Sequence, residues 1–107
     1  MKHQKRPTEA VEYTLEEHKT LESAPVFTLK PLSVGRFDEV VNLITAEKKA
    51  TAFRYACQYG IKGWTNYEPD FEEAKVVEIT NDFTLTWIIE LGSKIIEISQ
   101  VSEQEKN

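Results

Sequence analysis

Few side chains in this 107-residue chain are of the kinds that make or break bonds. Its single cysteine, Cys57, falls among Phe53, Ala56 and Tyr59 in a segment that reads as helix. No histidine lies near it in sequence to draw off its proton, and a free cysteine so placed behaves as a small buried hydrophobe. The two histidines, His3 and His18, sit in polar N-terminal stretches, and no Cys or His pair has the spacing of zinc ligands. A hydrolase triad would need a histidine beside a nucleophile, and only His18 could serve. Glu68, Asp70, Glu72 and Glu73 crowd together, yet the central glycine of a calcium loop is missing, so the cluster reads as a solvated face. These features predict a protein that is not an enzyme and takes no cofactor and no metal.

The most distinctive run is Phe53–Tyr67. It reads as a helix that stops at Gly60 with a left-handed residue, a turn at Gly63, and Trp64 displayed from a tight loop. Trp64 has two readings. It can plug the corner between helix and loop, with its indole N–H bonded to a nearby carbonyl. It can also stand out as an aromatic anchor for a partner, since tryptophan is strongly enriched among interface hot spots. Tyr55, Tyr59 and Tyr67 suit either account. Base stacking is a third use for such rings, but the acidic surroundings would repel a phosphate backbone.

The elements that must position these residues are marked by period and punctuation. Val11, Tyr13 and Leu15 alternate as in a half-buried strand, and Val26–Lys30 is β-branched and aromatic enough for a second, so that a hairpin can join them. Ser33 is a good N-cap for a helix over 34–44, with Phe37, Val40, Val41 and Ile44 as its apolar stripe. Thr45 is placed to cap a second helix over 46–59. Val76, Val77 and Ile79 suit either a short strand or a lead-in turn. Asp82 or Thr84 can cap a last helix over 83–100, where Leu85, Ile88, Leu91, Ile95 and Ile98 form one apolar row. Ile89 and Ile96 widen that row beyond what one neighbouring helix covers, and Trp87 lies on its flank. Gly92 lowers helix propensity by roughly 1 kcal/mol, a cost that goes with close backbone contact. The fold expected is therefore α+β: a small, mainly helical domain of three helices with a short N-terminal β element. Ile89 and Ile96, with Trp64, Tyr67 and Trp87, are the candidate partner-binding residues.

Charge and length bound the rest. A formal charge of −5, from 13 Lys and Arg against 18 Asp and Glu, argues against nucleic acid as a partner. The basic tip Lys2, His3, Lys5 and Arg6 is the exception. The divisions expected are a flexible tail over 1–10, one globular domain over 11–101 and a flexible tail over 102–107. No apolar signal region opens the chain, and no apolar run approaches the roughly 20 residues of a membrane span. A soluble, cytoplasmic protein is expected, without a membrane partner.

Three pieces of the chain carry a resemblance. In Arg54–Tyr67 an arginine-bearing helix ends in Gly-Ile-Lys-Gly-Trp-Thr-Asn-Tyr, which resembles a pattern in small proteins of tailed bacteriophages. Phe27–Ser33 before a helix, and Ile98–Asn107 with its Ser-Glu-Gln-Glu-Lys-Asn close, look like the opening and ending of the same proteins. Together they cover about residues 26–107 in matching order, and the chain is similar on this basis to the phage tail assembly chaperones. The resemblance implies a non-enzymatic protein of the host cytoplasm that binds the tape measure protein and the tail tube protein during assembly, forms homo-oligomers, and leaves the finished virion. Residues 1–25 and 68–73 fall outside it. A structural tail or head–tail connector subunit and a small host-directed binding protein are the alternatives. Genes of the family often carry a −1 slip site near their end. Glu105-Lys106-Asn107 can be encoded GAA-AAA-AAC, which contains the slippery heptamer A-AAA-AAC, so the resemblance also implies a minor, longer product.

Overall fold

The computed structural model describes the backbone over residues 10–105 and side chains over 10–100. The basic tip, most of the expected N-terminal tail, and Lys106 and Asn107 lie outside the described residues. Three strands, β1 (Val11–Tyr13), β2 (Val26–Leu29) and β3 (Ile61–Thr65), form an antiparallel sheet in the order β1-β2-β3. Four helices accompany it: α1 (Val34–Thr45), α2 (Lys49–Gly60), α3 (Val76–Thr80) and α4 (Leu85–Glu105). The fold is a small α+β domain. α4 continues through the place where a C-terminal tail was expected to begin.

The hairpin of β1 and β2 forms as expected, with Val11 opposite Leu29 and Tyr13 opposite Phe27. In β2 the period of two holds, and Phe27 and Leu29 are fully buried. The third strand was not expected. β3 occupies the segment read as a turn and display loop. Its two buried residues, Ile61 and Trp64, are three apart, a spacing that hides a strand. The register explains it: Leu29 faces Ile61 while Thr28 faces Gly63, so a bulge absorbs Lys62 and returns both large side chains to one face. The chain turns only after the strand, at Asn66, whose φ is 59° and whose side-chain amide donates to the Ala24 carbonyl at 3.1 Å.

α1 begins as the sequence indicates, with the Ser33 hydroxyl accepting the Arg36 N–H at 3.3 Å. Val40 is its buried residue, flanked by half-buried Phe37, Leu43 and Ile44, while Val41 faces outward against expectation. Thr45 does not cap the second helix. α1 runs through it and closes with Lys48 N–H on the Leu43 carbonyl and Glu47 N–H on Ile44, Glu47 taking a φ of 64°. These are the paired bonds of a Schellman end, with glutamate where glycine is usual. The expected left-handed stop at Gly60 is also absent. Gly60 is the last residue of α2 at negative φ, and a Cβ on it would lie 2.6 Å from Ile95 Cγ2. It is glycine so that α4 can come close. Gly92 of α4 plays the reciprocal part, since its Cβ would meet the Phe53 carbonyl oxygen at 2.8 Å.

Val76–Thr80 is a short helix, neither strand nor turn. Thr84 then caps α4, its hydroxyl accepting the Trp87 N–H at 3.3 Å. The core lies between the sheet and the α2–α4 pair. Leu15, Phe27, Leu29, Ala52, Ala56, Cys57, Leu91 and Ile95 are wholly buried there.

Candidate functional site

The aromatic residues marked for partner contact converge inside the protein. Phe27 stands among Trp64, Tyr67, Phe83 and Trp87 with ring centroids 5.8–6.0 Å away, mostly edge to face. Trp64 is only 7% exposed, its indole N–H bonds the Pro69 carbonyl at 2.8 Å, and Phe71 packs edge-on against it at 4.9 Å. Its strand presents it to the core, so the plug reading holds and the exposed-anchor reading does not. Tyr67 is half-buried in the same cluster, and burial, with Asp82 nearby, pushes its hydroxyl pKa up. Trp87 is half-buried too, its indole N–H donating to Glu17 Oε2 at 2.9 Å while His18 packs edge-on at 5.2 Å. Trp64 is turned away from solvent, and Tyr67 and Trp87 keep only part of their surface there. The reason is that rings with a polar edge can be buried when that edge finds an acceptor.

Trp87 belongs to a seam along α4 that the sequence does not advertise. The Glu90 carboxylate accepts the Tyr13 hydroxyl at 2.6 Å and the Glu16 N–H at 2.8 Å. Burial first, and then the Glu90 bond, push the Tyr13 pKa up to about 12. With Glu17 on Trp87, these bonds fasten residues 13–18 across one side of α4. Ser99 fastens another, donating to the Ile95 carbonyl at 2.6 Å and accepting the Leu32 N–H at 2.8 Å. Apart from the local Ser99–Ile95 bond, no local pattern could have shown these pairs, whose members are 67 or more residues apart.

The apolar rows of α4 separate. Ile88, Leu91 and Ile95 are buried against the core and Ile98 half-buried. Leu85, expected in the core row, is 59% exposed, four residues before Ile89 and on the same side of the helix. Ile89 is 41% exposed and Ile96 half-buried. Leu85, Ile89 and Ile96, spaced i, i+4 and i+11, therefore form one stripe along an edge of α4 beside Gly92. Of the five residues marked for partner contact, Ile89 and Ile96 are the two on this face.

The remaining chemistry is quiet. Cys57 is buried with its thiol directed at the Ile88 carbonyl 3.6 Å away, and burial pushes its pKa up to about 12, far from the thiolate a nucleophile requires. Arg36 of α1 lies 3.7 Å over the Tyr59 ring and donates to the Tyr55 hydroxyl at 3.1 Å, clasping α1 to α2. The acidic residues Glu68, Asp70, Glu72, Glu78 and Asp82 line an open cleft of about 380 Å³ with Tyr67 and Lys75. Among the described residues no three His, Cys, Asp or Glu are grouped to hold a metal ion, and no helix is long and apolar enough to cross a membrane. Comparison with known protein families, with curated proteins and with solved structures finds no match to this chain.

Proposed function

We propose that this protein is a tail assembly chaperone of a tailed bacteriophage. It acts in the host cytoplasm by binding the tape measure protein and tail tube subunits, without catalysing a reaction. The observation that carries the reading is the open apolar stripe Leu85, Ile89 and Ile96 on α4, within the segment that resembles these chaperones. A long helix with an uncovered apolar edge is suited to shielding the apolar face of another helix until that partner assembles. The protein's thiol and much of its aromatic surface are spent on packing, and Leu85 and Ile89 of α4 are among its exposed apolar side chains.

Mass spectrometry of purified virions, alongside lysates of infected cells, tests the reading. A chaperone is present in the lysate and absent from the virion, and its gene lies just upstream of a very long, coiled-coil-rich tape measure gene. A stoichiometric band in the virion would assign the chain instead to the tail or head–tail connector structure.

A further inference from the structure

The end of α3 and the residues after it line two hollows of opposite character. Ile79 and Asp82 belong to the acidic cleft. Asn81 and Phe83 belong to a smaller hollow of about 160 Å³, with Ala50 and Arg54 of α2 and Leu85 and Ile88 of α4. Its one charged residue is Arg54, where the cleft has five carboxylates and Lys75.

Local sequence accounts for the hollow. Ala50 and Arg54 are four apart and share one face of α2, as Leu85 and Ile88, three apart, do on α4. Ala50 has nothing beyond its Cβ, so the space at its level stays unfilled. Buried Phe83 and Ile88 supply apolar walls. Thr80 also lines the hollow, but its hydroxyl is engaged by the Val76 and Val77 carbonyls at 2.7 and 3.1 Å. The polar groups left for a ligand are the Arg54 guanidinium and the Asn81 amide, both on exposed residues. Lys19, Lys62, Lys75 and Lys94 each have a carboxylate partner, and Arg36 is held by Tyr55 and Tyr59. Among the described residues no carboxylate lies within ion-pair distance of Arg54, in a chain with 18 Asp and Glu.

We propose that this hollow binds the free C-terminal end of a partner polypeptide whose last side chain is apolar. Size and charge together select the occupant. An apolar cavity of about 150 Å³ admits a benzene-sized group, so this one has room for a single leucine or phenylalanine side chain. An arginine at the wall without a carboxylate of its own can take one from the ligand through two parallel N–H···O bonds. The residue that carries an apolar side chain and a carboxylate side by side is the last of a chain. Asn81 has amide N–H groups for the same carboxylate. The acidic cleft beyond residues 79–83 repels that group and confines it to the Arg54 side.

This contact is additional to the helix shielding proposed above, and each can fail alone, because its test uses only the purified chain. Three peptides serve as probes in an NMR titration: acetyl-Ala-Leu with a free carboxylate, the same peptide as its C-terminal amide, and acetyl-Leu-Glu amide. The free acid should shift the backbone signals of Arg54, Asn81 and Leu85, and should bind at least about threefold more tightly than its amide. Arg54→Gln should erase that preference, and Arg54→Lys should keep part of it. Ala50→Leu, at an exposed helix position, should fill the hollow and abolish binding while circular dichroism shows the helices intact. Equal binding of acid and amide, or a preference that survives Arg54→Gln, would overturn the proposal. Acetyl-Leu-Glu amide binding as tightly as the free acid would overturn the chain-end assignment in favour of an internal acidic residue. Signals unmoved by all three peptides at millimolar concentration would remove the site.

Discussion

Around Phe27 the rings of Trp64, Tyr67, Phe83 and Trp87 close on one another at about 6 Å, whereas on the outer edge of α4 Leu85 and Ile89 stand open. Both regions contain side chains of the kind that anchor partners, and composition would rank the aromatic one first. The outcome is the reverse. Trp64 and Trp87 each have an acceptor for the indole N–H within the fold, on Pro69 and Glu17, so burying them leaves nothing unpaired. An isoleucine on the far edge of a helix has no such choice, and is covered only if another element reaches it. Exposure here follows the supply of neighbours, not the type of residue.

The contrast can be broken most forcefully at Trp64. Trp64→Ala should cost about 3–5 kcal/mol, read as a large fall in the urea midpoint, because a buried indole leaves a cavity that its neighbours cannot close. A loss below about 1 kcal/mol would mean that the cluster is no core, and would return Trp64 to the surface. Gly92→Ala probes the junction between the covered and open sides of α4. It gains about 1 kcal/mol in helix propensity but drives a methyl into the Phe53 carbonyl at 2.8 Å, backbone that cannot swing aside. Overpacking of this kind costs about 1–3 kcal/mol, so the net should be a loss of up to about 2 kcal/mol in the same measurement. A more stable variant would show that α2 and α4 are further apart than described. The smallest effect belongs to the open face. Ile89→Gln should shift stability by no more than about 0.5 kcal/mol in a dilute thermal melt. A loss beyond about 2 kcal/mol would place Ile89 in the core and remove the contrast altogether.

Much of the helical part of the fold was readable beforehand. Ser33 marked the start of α1, Thr84 was one of two candidates for the cap of α4, and the penalty at Gly92 correctly signalled close backbone contact. The misreadings share a cause. Gly60 and Gly63 looked like a stop and a turn because glycine most often serves backbone conformations, yet Gly60 is there for Ile95 and Gly63 lies in a strand. Glu47 takes the left-handed position that glycine would have advertised. Of the candidate site, Ile89 and Ile96 were legible because a stripe too wide for one neighbour is a property of the helix alone.

Sequence by itself determined what depends on near neighbours: the helix period, the cap at Ser33, the strand alternation of β1, and the surplus of apolar surface on α4. Tertiary structure alone decided what depends on distant ones. The bulge at Lys62 turns an i, i+3 spacing into a strand only because β2 lies beside it to set the register. Glu17 and Glu90 become fastenings only because residues 13–18 fold back across α4, 70 or more positions away. Local energies act over a few bonds and can be read along the chain. The exposure of Trp64 or Ile89 is settled by which other segment comes to rest against it.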